Sequence, residues 1–201
     1  MRRVIVVGQK ARAAGDLLLD DVPGTSGRLD VLLRCVRAAM FVSHGIRSDV
    51  VLYLVLLGDE AAPRDVRYVA TEARFWRPDE RNMAALLRGV FARGVAPEAP
   101  HDFVEGKPGV CIAEGGLARA LEDVGDAPLY VLEEGGADVR DVTVDPRGVF
   151  VLGDHLGFDA PTEAALRERG AQPVRVGPLS LHADDALAVL WNELDRRDAR
   201  G

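Results

Sequence analysis

The sequence predicts an α/β protein with a mainly parallel sheet and helices on both faces. Apolar runs of strand length alternate along the chain with stretches whose apolar residues recur every three or four positions. Several of these runs end in glycine, as buried parallel strands often do where they open into a loop and a helix. The length of 201 residues suits one large domain or two small ones.

The first strand is expected over residues 2–8, where four β-branched residues precede Gly8. A long connection follows over residues 9–27, and loops of that length are often functional. A helix is expected from about residue 28 to 43, with Thr25 or Ser26 able to cap it. Its inward residues should be Leu29, Leu32, Leu33, Val36 and Met40.

Two further strands are expected over residues 49–57 and 66–71, followed by a helix that starts after Pro78. Asp79 and Glu80 fall in its first turn, where acids are ordinary because they interact with the free N–H groups. The inward residues of this helix should be Met83, Leu86, Leu87 and Val90. Residues 94–108 are rich in Pro, Ala and acids and indicate a surface connection.

The rest of the chain should continue the alternation and end in a helix. Its inward face would contain Ala186, Leu187, Leu190 and Leu194. Residues 137–146 are polar and are expected to form a loop. The expected strands are residues 110–112, 129–132, 148–153 and 173–177, and the expected intervening helices are residues 115–124 and 161–169.

The amino-acid composition limits the kinds of function that this chain can have. The net charge of −7 argues against indiscriminate nucleic-acid binding but leaves room for a local arginine patch. Nearly all basic residues are Arg, which suits phosphate contacts, although GC-rich coding produces the same bias. No apolar run is long enough to span a membrane, and Cys35 and Cys111 are too few for a metal site or a disulfide framework. We expect a cytoplasmic protein with buried thiols, no membrane and no metal.

Motif searches exclude several familiar sites. No Gly-x-Gly-x-x-Gly follows the first strand, and there is no Walker phosphate loop, Gly-x-Ser-x-Gly elbow or zinc-ligand spacing. His155 and His182 both follow glycine-ended strands and so can approach one another. Glycine-ended strands are where open α/β sheets bind ligands, but any βαβ unit needs such turns, and spacing alone favours that plainer explanation.

Six segments in order resemble the archaeal tRNA pseudouridine-54 N1-methyltransferase family of the SPOUT superfamily. They include Gly-Arg-Leu-Asp at the start of residues 27–36, Pro-Asp-Glu-Arg-Asn at 78–82 and Leu-Gly-Asp-His within 150–155. The remaining segments are residues 41–50, 53–58 and 177–184. Together they span nearly the whole chain.

The resemblance implies an S-adenosylmethionine-dependent enzyme that methylates N1 of pseudouridine 54 in the T-loop of tRNA. It also implies a single domain over residues 1–201, a homodimer built largely through the last helix, and a C-terminal trefoil knot, which few proteins contain. The cofactor would lie bent among three loops and contact mostly backbone. Its expected contacts are Leu132, Gly153, Val176, Gly177, Pro178, Leu179, Ser180, Leu181 and Ala186.

This chain departs from the family at one position. Ala186 stands where members often carry Cys or Ser, in the first turn of the last helix. If that side chain positions cofactor or substrate, its loss bears on the rate of reaction or on the identity of the substrate. Asp184 and Asp185 also make this helix start acidic, which disfavours an approaching phosphate.

The reaction needs close positioning of N1 against the methyl group and a group that takes the N1 proton. Asp30 and Asp79 are the candidates for the base or for orienting the uracil-like edge. Phe75 or Trp76 could stack on RNA and so offset the cost of flipping out the target base, although packing in the core is the commoner role for a Trp. Arginines that could contact phosphates are Arg28, Arg34, Arg47 and Arg81.

Two alternatives stay open at this point. One is a SPOUT methyltransferase that acts on another RNA, either rRNA or a different tRNA position. The other is a non-catalytic α/β module that binds a nucleotide or a protein partner, which the acidic balance favours slightly. The polar face of the helix expected over residues 28–43 also has a plain explanation, because Asp30, Arg34 and Arg37 can pair along the helix.

Overall fold

A computed structural model describes residues 1–13, 15–59 and 63–199. Its strands are β1 (Arg2–Gly8), β2 (Phe41–Val42), β3 (Gly45–Ile46), β4 (Val50–Leu56), β5 (Arg64–Val69), β6 (Val104–Lys107), β7 (Val110–Glu114), β8 (Leu129–Asp138), β9 (Val149–Gly153) and β10 (Gln172–Arg175). Its helices are α1 (Val22–Thr25), α2 (Leu29–Met40), α3 (Glu80–Arg93), α4 (Leu117–Val124), α5 (Ala160–Glu168) and α6 (Ala183–Asp198).

Eight strands form one sheet in the order β10-β8-β9-β1-β4-β5-β7-β6. The pairs from β10 to β4 are all parallel, whereas β5, β7 and β6 pair antiparallel to their neighbours. The expected α/β class with a mainly parallel sheet is confirmed. β2 and β3 form a separate small hairpin.

Strand alternation divides the core between the two faces of the sheet. In β1, Val4 and Val6 face the cluster that α2, α3 and α6 cover, and Ile5 and Val7 face the cluster covered by α4 and α5. All four side chains are fully buried. Helices therefore cover both faces, as the sequence predicted.

The helix that follows the long connection begins through a chain of local hydrogen bonds. The Ser26 hydroxyl accepts the Leu29 N–H at 3.2 Å and supports the start of α2, but the N-cap residue is Arg28 and not Thr25 or Ser26 as predicted. Arg28, in the N-cap position, has a left-handed backbone with φ 70°. The preceding Gly27 also has a positive φ, and a Cβ there would lie 1.7 Å from the Lys10 carbonyl oxygen, so no side chain fits.

Some element boundaries differ from the expectations. Residues 104–107 form an edge strand rather than part of a surface connection, and β8 continues through residue 138 instead of ending near 132. The extension of β8 pairs with β10 after a register shift between Pro173 and Val174. Both cysteine thiols are buried, as predicted.

The last helix returns to the beginning of the chain. Arg2 pairs with Asp195 at 2.6 Å and with Asp198 at 2.7 Å, and Arg47 donates to both carboxylate oxygens of Asp195. In the core, the Trp191 indole N–H donates to the Ala39 carbonyl at 2.9 Å, which ties α6 to α2. These contacts hold the C-terminal part of α6 at the edge of the sheet where β1 begins, whereas the start of α6 follows the end of β10.

Candidate functional site

A cavity of about 930 Å³ lies at the carboxyl ends of β8, β9 and β10. Parallel strands place their following loops at the same edge of a sheet, which is where α/β proteins bind ligands. The middle of β8, the loops after β9 and β10, and residues of α2, α5 and α6 line it. The lining residues are Arg28, Val31, Arg34, Leu132, Glu133, Glu134, Leu152, Gly153, Asp154, His155, Gly157, Phe158, Glu163, Val174, Arg175, Val176, Gly177, Leu179, Ser180, Leu181, His182, Ala183, Asp184, Asp185 and Ala186.

Asp154 fixes the loop after β9. One of its carboxylate oxygens accepts the Gln9 N–H at 2.9 Å and the other accepts the Leu156 N–H at 2.8 Å. The chain then turns back so closely that a Cβ on Gly153 would lie 2.7 Å from the Gly157 carbonyl oxygen. This buried carboxylate therefore joins the end of β1 to the wall of the cavity.

The loop between β10 and α6 lines the cavity and has backbone groups without partners in the described part of the chain. Among the described residues, no backbone hydrogen bond engages the N–H or C=O groups of residues 177–181. The Leu179 and Leu181 side chains, 75% and 42% exposed, lie in the same segment. Free peptide groups beside apolar side chains suit a ligand that combines a flat apolar ring with hydrogen-bonding edges.

The mouth of the cavity carries a chain of charges anchored on Asp30. This nearly buried carboxylate accepts the Arg28 Nε at 2.9 Å and the Arg34 Nη1 at 3.0 Å. Arg34 continues the chain, with its Nε 3.9 Å from the Asp184 carboxylate. Burial alone would raise the pKa of Asp30, but the two guanidinium groups outweigh it and hold that pKa below its usual range.

Asp79 lies away from the cavity lining and caps α3. Its carboxylate accepts the Asn82 backbone N–H at 3.0 Å. The Asn82 side-chain amide also donates to both oxygens of this carboxylate. The hydrogen bond from the Asn82 backbone lowers the pKa of Asp79. Arg81, in the first turn of α3, is ion-paired with Asp20.

The predicted site residues thus divide by location. Eight of the nine expected cofactor contacts line the cavity, and Pro178 does not. Of the arginines, Arg28 and Arg34 line it, whereas Arg47 is committed to Asp195 near the other end of α6. Asp30 touches the cavity through its two arginines.

Several lining residues were not proposed as cofactor contacts from the sequence. Asp154 and Arg175 are the clearest, and the acidic pair Glu133 and Glu134 lies within β8. The signal for Asp154 was present, since it directly follows a glycine-ended strand. His155 and His182, which the sequence predicted could approach one another, both line this cavity.

Across residues 1–13, 15–59 and 63–199, no group of three or more His, Cys, Asp or Glu side chains is arranged to hold a metal ion. No helix in these same ranges is both long enough and apolar enough to cross a membrane.

Comparison with known proteins gives consistent matches over the full chain. A family model described as SAM-dependent RNA methyltransferase matches residues 1–199. The tRNA (pseudouridine(54)-N(1))-methyltransferase of Halobacterium salinarum is 44% identical, with 97% of this chain and 96% of the relative covered. The enzymes of the same name from Methanosarcina acetivorans and Methanocaldococcus jannaschii are 38% and 35% identical, over 99% and 98% of this chain and 93% and 98% of theirs.

A solved structure shares the fold. It is the crystal structure of Archaeoglobus fulgidus Nep1 bound to S-adenosylhomocysteine, with a TM-score of 0.65. The match covers 98% of this chain and 99% of that one, at 17% sequence identity. At this identity the likeness supports the architecture of the sheet and its helices.

Proposed function

The chain belongs to the family of SAM-dependent RNA methyltransferases, and on that premise we propose that it methylates N1 of pseudouridine 54 in tRNA. The observation that carries the proposal is identity of 35–44% over nearly the whole chain to relatives named for that reaction. The cavity at the carboxyl edge of the sheet supplies a site of suitable size and chemistry.

S-adenosylmethionine fits the groups that this cavity presents. The adenine ring would lie against Leu132, Val176 and Leu181, and the free peptide groups of residues 177–181 would hydrogen-bond its polar edge. The acidic side chains of Glu133 and Glu134 suit a ligand with positive charge. When bound, the cofactor supplies an electrophilic methyl group on a sulfonium sulfur.

Asp30 acts in this proposal by holding Arg28 and Arg34 rather than as a strong base. A carboxylate with a lowered pKa is a poor proton acceptor, whereas two guanidinium groups fixed at the cavity mouth are well placed for an anionic backbone. Phosphates beside the target nucleotide would bind these two arginines and bring N1 toward the methyl group. The predicted base role of Asp79 gains no support from its position as a helix cap.

The remaining predictions for the assembly are parts of the same proposal. We propose a single domain that pairs with a second copy through the outer face of α6, where Ala188, Val189 and Asn192 are exposed. A trefoil knot at the carboxyl end stays a prediction, as do phosphate contacts by Arg47 and Arg81 and a cofactor contact by Pro178. Action on tRNA would place the enzyme in the cytoplasm.

The test is methyl transfer from radiolabelled S-adenosylmethionine to tRNA transcripts that carry either pseudouridine or uridine at position 54. We expect label only in the pseudouridine transcript, at N1 by mass spectrometry of the nucleosides. Label in both transcripts, or in an rRNA fragment instead, would assign the enzyme to another RNA position. Binding of neither S-adenosylmethionine nor its demethylated product in calorimetry would instead indicate a non-catalytic module.

A further inference from the structure

The loop that leads into α3 lies at the sheet edge opposite the cavity. β5 runs antiparallel to β4, so Val69 pairs with Val51 near the start of β4, whereas the cavity lies where the parallel strands end. A short 3₁₀ turn over Ala70–Glu72 follows β5, and residues 73–79 then reach the cap of α3. Any ligand of this loop is therefore separate from the cofactor cavity on the same chain.

Phe75 in this loop combines two unfavourable features. Its side chain is 98% exposed, and its backbone has φ 63°, in the left-handed region that L-residues other than Asn and Asp avoid. Among described residues other than glycine, only Arg28 at the cavity mouth shares a positive φ. Within residues 1–13, 15–59 and 63–199, the Phe75 ring is not covered and its backbone makes no turn or loop hydrogen bond. Strain of this kind is concentrated at functional positions.

The neighbour of Phe75 holds the loop in place. The Trp76 ring packs edge-on against the buried Tyr68, with centroids 5.5 Å apart, and its indole N–H donates to the Pro108 carbonyl at 3.1 Å. Trp76 therefore has the packing role that the sequence favoured for it. Because the anchor is aromatic and hydrogen-bonded, Phe75 is held outward before any partner arrives.

Two cationic side chains flank the exposed ring in sequence. Arg74 and Arg77 are both exposed. The nearby acids are Glu72, Glu80 and Asp79, of which Asp79 is occupied by Asn82. One aromatic ring among cations is too small for the apolar core of a protein interface but suits a nucleobase with its phosphates.

We propose that Phe75 stacks on an unpaired base of the tRNA at a second contact, distinct from the base that is methylated, with Arg74 and Arg77 binding the adjacent phosphates. This inference rests on the proposed RNA substrate. It makes full-length tRNA a better ligand than the isolated T-arm, because only the longer molecule reaches both edges of the sheet.

The experiment measures binding of full-length tRNA transcript and of a T-arm hairpin by filter retention, without cofactor. Phe75→Ala and Phe75→Leu should each weaken binding of the full transcript about five- to a hundredfold, since stacking requires the ring. The hairpin should bind all variants equally. Phe75→Trp should retain affinity, and its added fluorescence should be quenched by the transcript. Leu18→Ala, which removes an exposed apolar side chain elsewhere, is the control.

Phe75→Asn separates function from packing, because Asn adopts the left-handed conformation readily. It should unfold at the same temperature as wild type or higher, yet bind the transcript as weakly as Phe75→Ala. Arg77→Ala should reduce the slope of log affinity against log salt by about one. These outcomes do not depend on whether methyl transfer occurs, so failure of the proposed reaction would be seen separately.

The proposal is overturned if Phe75→Ala binds the full transcript like wild type, or if Phe75→Leu does. It is also overturned if Phe75→Ala weakens the hairpin equally, since the contact would then belong to the T-arm. A change in the mass of Phe75→Ala in solution would identify the ring as part of an interface between two copies of the chain.

Discussion

At the residue scale, Asp65 on β5 carries a buried carboxyl group that affects stability. Neither of its oxygens has a hydrogen-bond partner of normal geometry among the described residues. Burial raises its pKa to about 8, against the opposing effects of the Gly116 amide and the Arg119 charge. In the unfolded chain the same group titrates near its ordinary value, so the folded state binds a proton that the unfolded state releases.

We therefore predict that the free energy of unfolding falls as pH rises from about 4 to 8. Over this range the carboxyl group ionises readily in the unfolded chain but stays protonated in the folded chain, so rising pH favours the unfolded state. Asp65→Asn cannot ionise and should raise the free energy of unfolding at pH 8 by about 2–5 kcal/mol. Urea titrations at pH 5 and pH 8 measure this. Equal differences between variant and wild type at the two pH values would refute the assignment.

Asp30 and Asp79 offer a matched pair for testing which acid serves the reaction. Asp30→Asn removes the charge that holds Arg28 and Arg34, so single-turnover methylation should slow about 10- to 100-fold while cofactor affinity is spared. Asp79→Asn keeps a side chain that caps helices equally well, so turnover and unfolding should both stay near wild type.

The reverse pattern would restore the role that the sequence suggested for Asp79. Slow methylation by Asp79→Asn with an unchanged free energy of unfolding would show that its carboxylate serves the RNA or the proton. Wild-type turnover by Asp30→Asn would remove Asp30 from the mechanism.

At the scale of elements, the loop after β9 depends on Asp154. Asp154→Ala frees the Gln9 and Leu156 N–H groups and should weaken binding of S-adenosylhomocysteine about tenfold in calorimetry. Asp154→Asn keeps one acceptor oxygen and should lose less. Asp145→Asn alters a comparable turn carboxylate outside the cavity and serves as the control. An unchanged affinity in Asp154→Ala would mean that the loop holds its shape without this anchor.

Helices and strands whose apolar residues recur regularly could be predicted from the sequence. Strands that form only because a neighbouring strand pairs with them could not. The stripe of α2 and the apolar runs of β1 and β4 are visible because burial on one or both faces selects their residues. β6 is a half-exposed edge strand with Gly106 inside it, so its composition resembles a loop. The second half of β8 contains Gly135 and Gly136 and exists only because β10 pairs with it.

The same holds for the site: segments that are contiguous in sequence could be predicted, and contacts between distant residues could not. Glycine-ended strands and the family motifs located most of the segments that line the cavity, since these are contiguous segments. Which arginines lie at the cavity was less predictable, because nothing in the local sequence distinguishes Arg28 and Arg34 from Arg47. Only the folded chain shows that Asp195 already neutralises Arg47.

At the scale of the whole molecule, the proposed dimer makes α6 a boundary between copies. Wild type should have twice the chain mass of 21.7 kDa in light scattering. Val189→Asp places a charge on the exposed face of α6 and should yield monomers, because an unpaired buried charge costs several kcal/mol. Leu18→Asp adds a charge at another exposed apolar position and should leave the mass unchanged. A wild-type mass of 21.7 kDa would reject the dimer.

The place of β1 between β4 and β9 has a consequence for biosynthesis. During translation the first strand can pair with β4 early, but its other neighbour emerges only about 140 residues later, roughly 7–28 s at typical rates of 5–20 residues per second. Until then one edge of β1, with its four buried apolar residues Val4 to Val7, is open on the nascent chain. Polypeptides released from the ribosome before residue 149 should therefore aggregate or remain bound to chaperones.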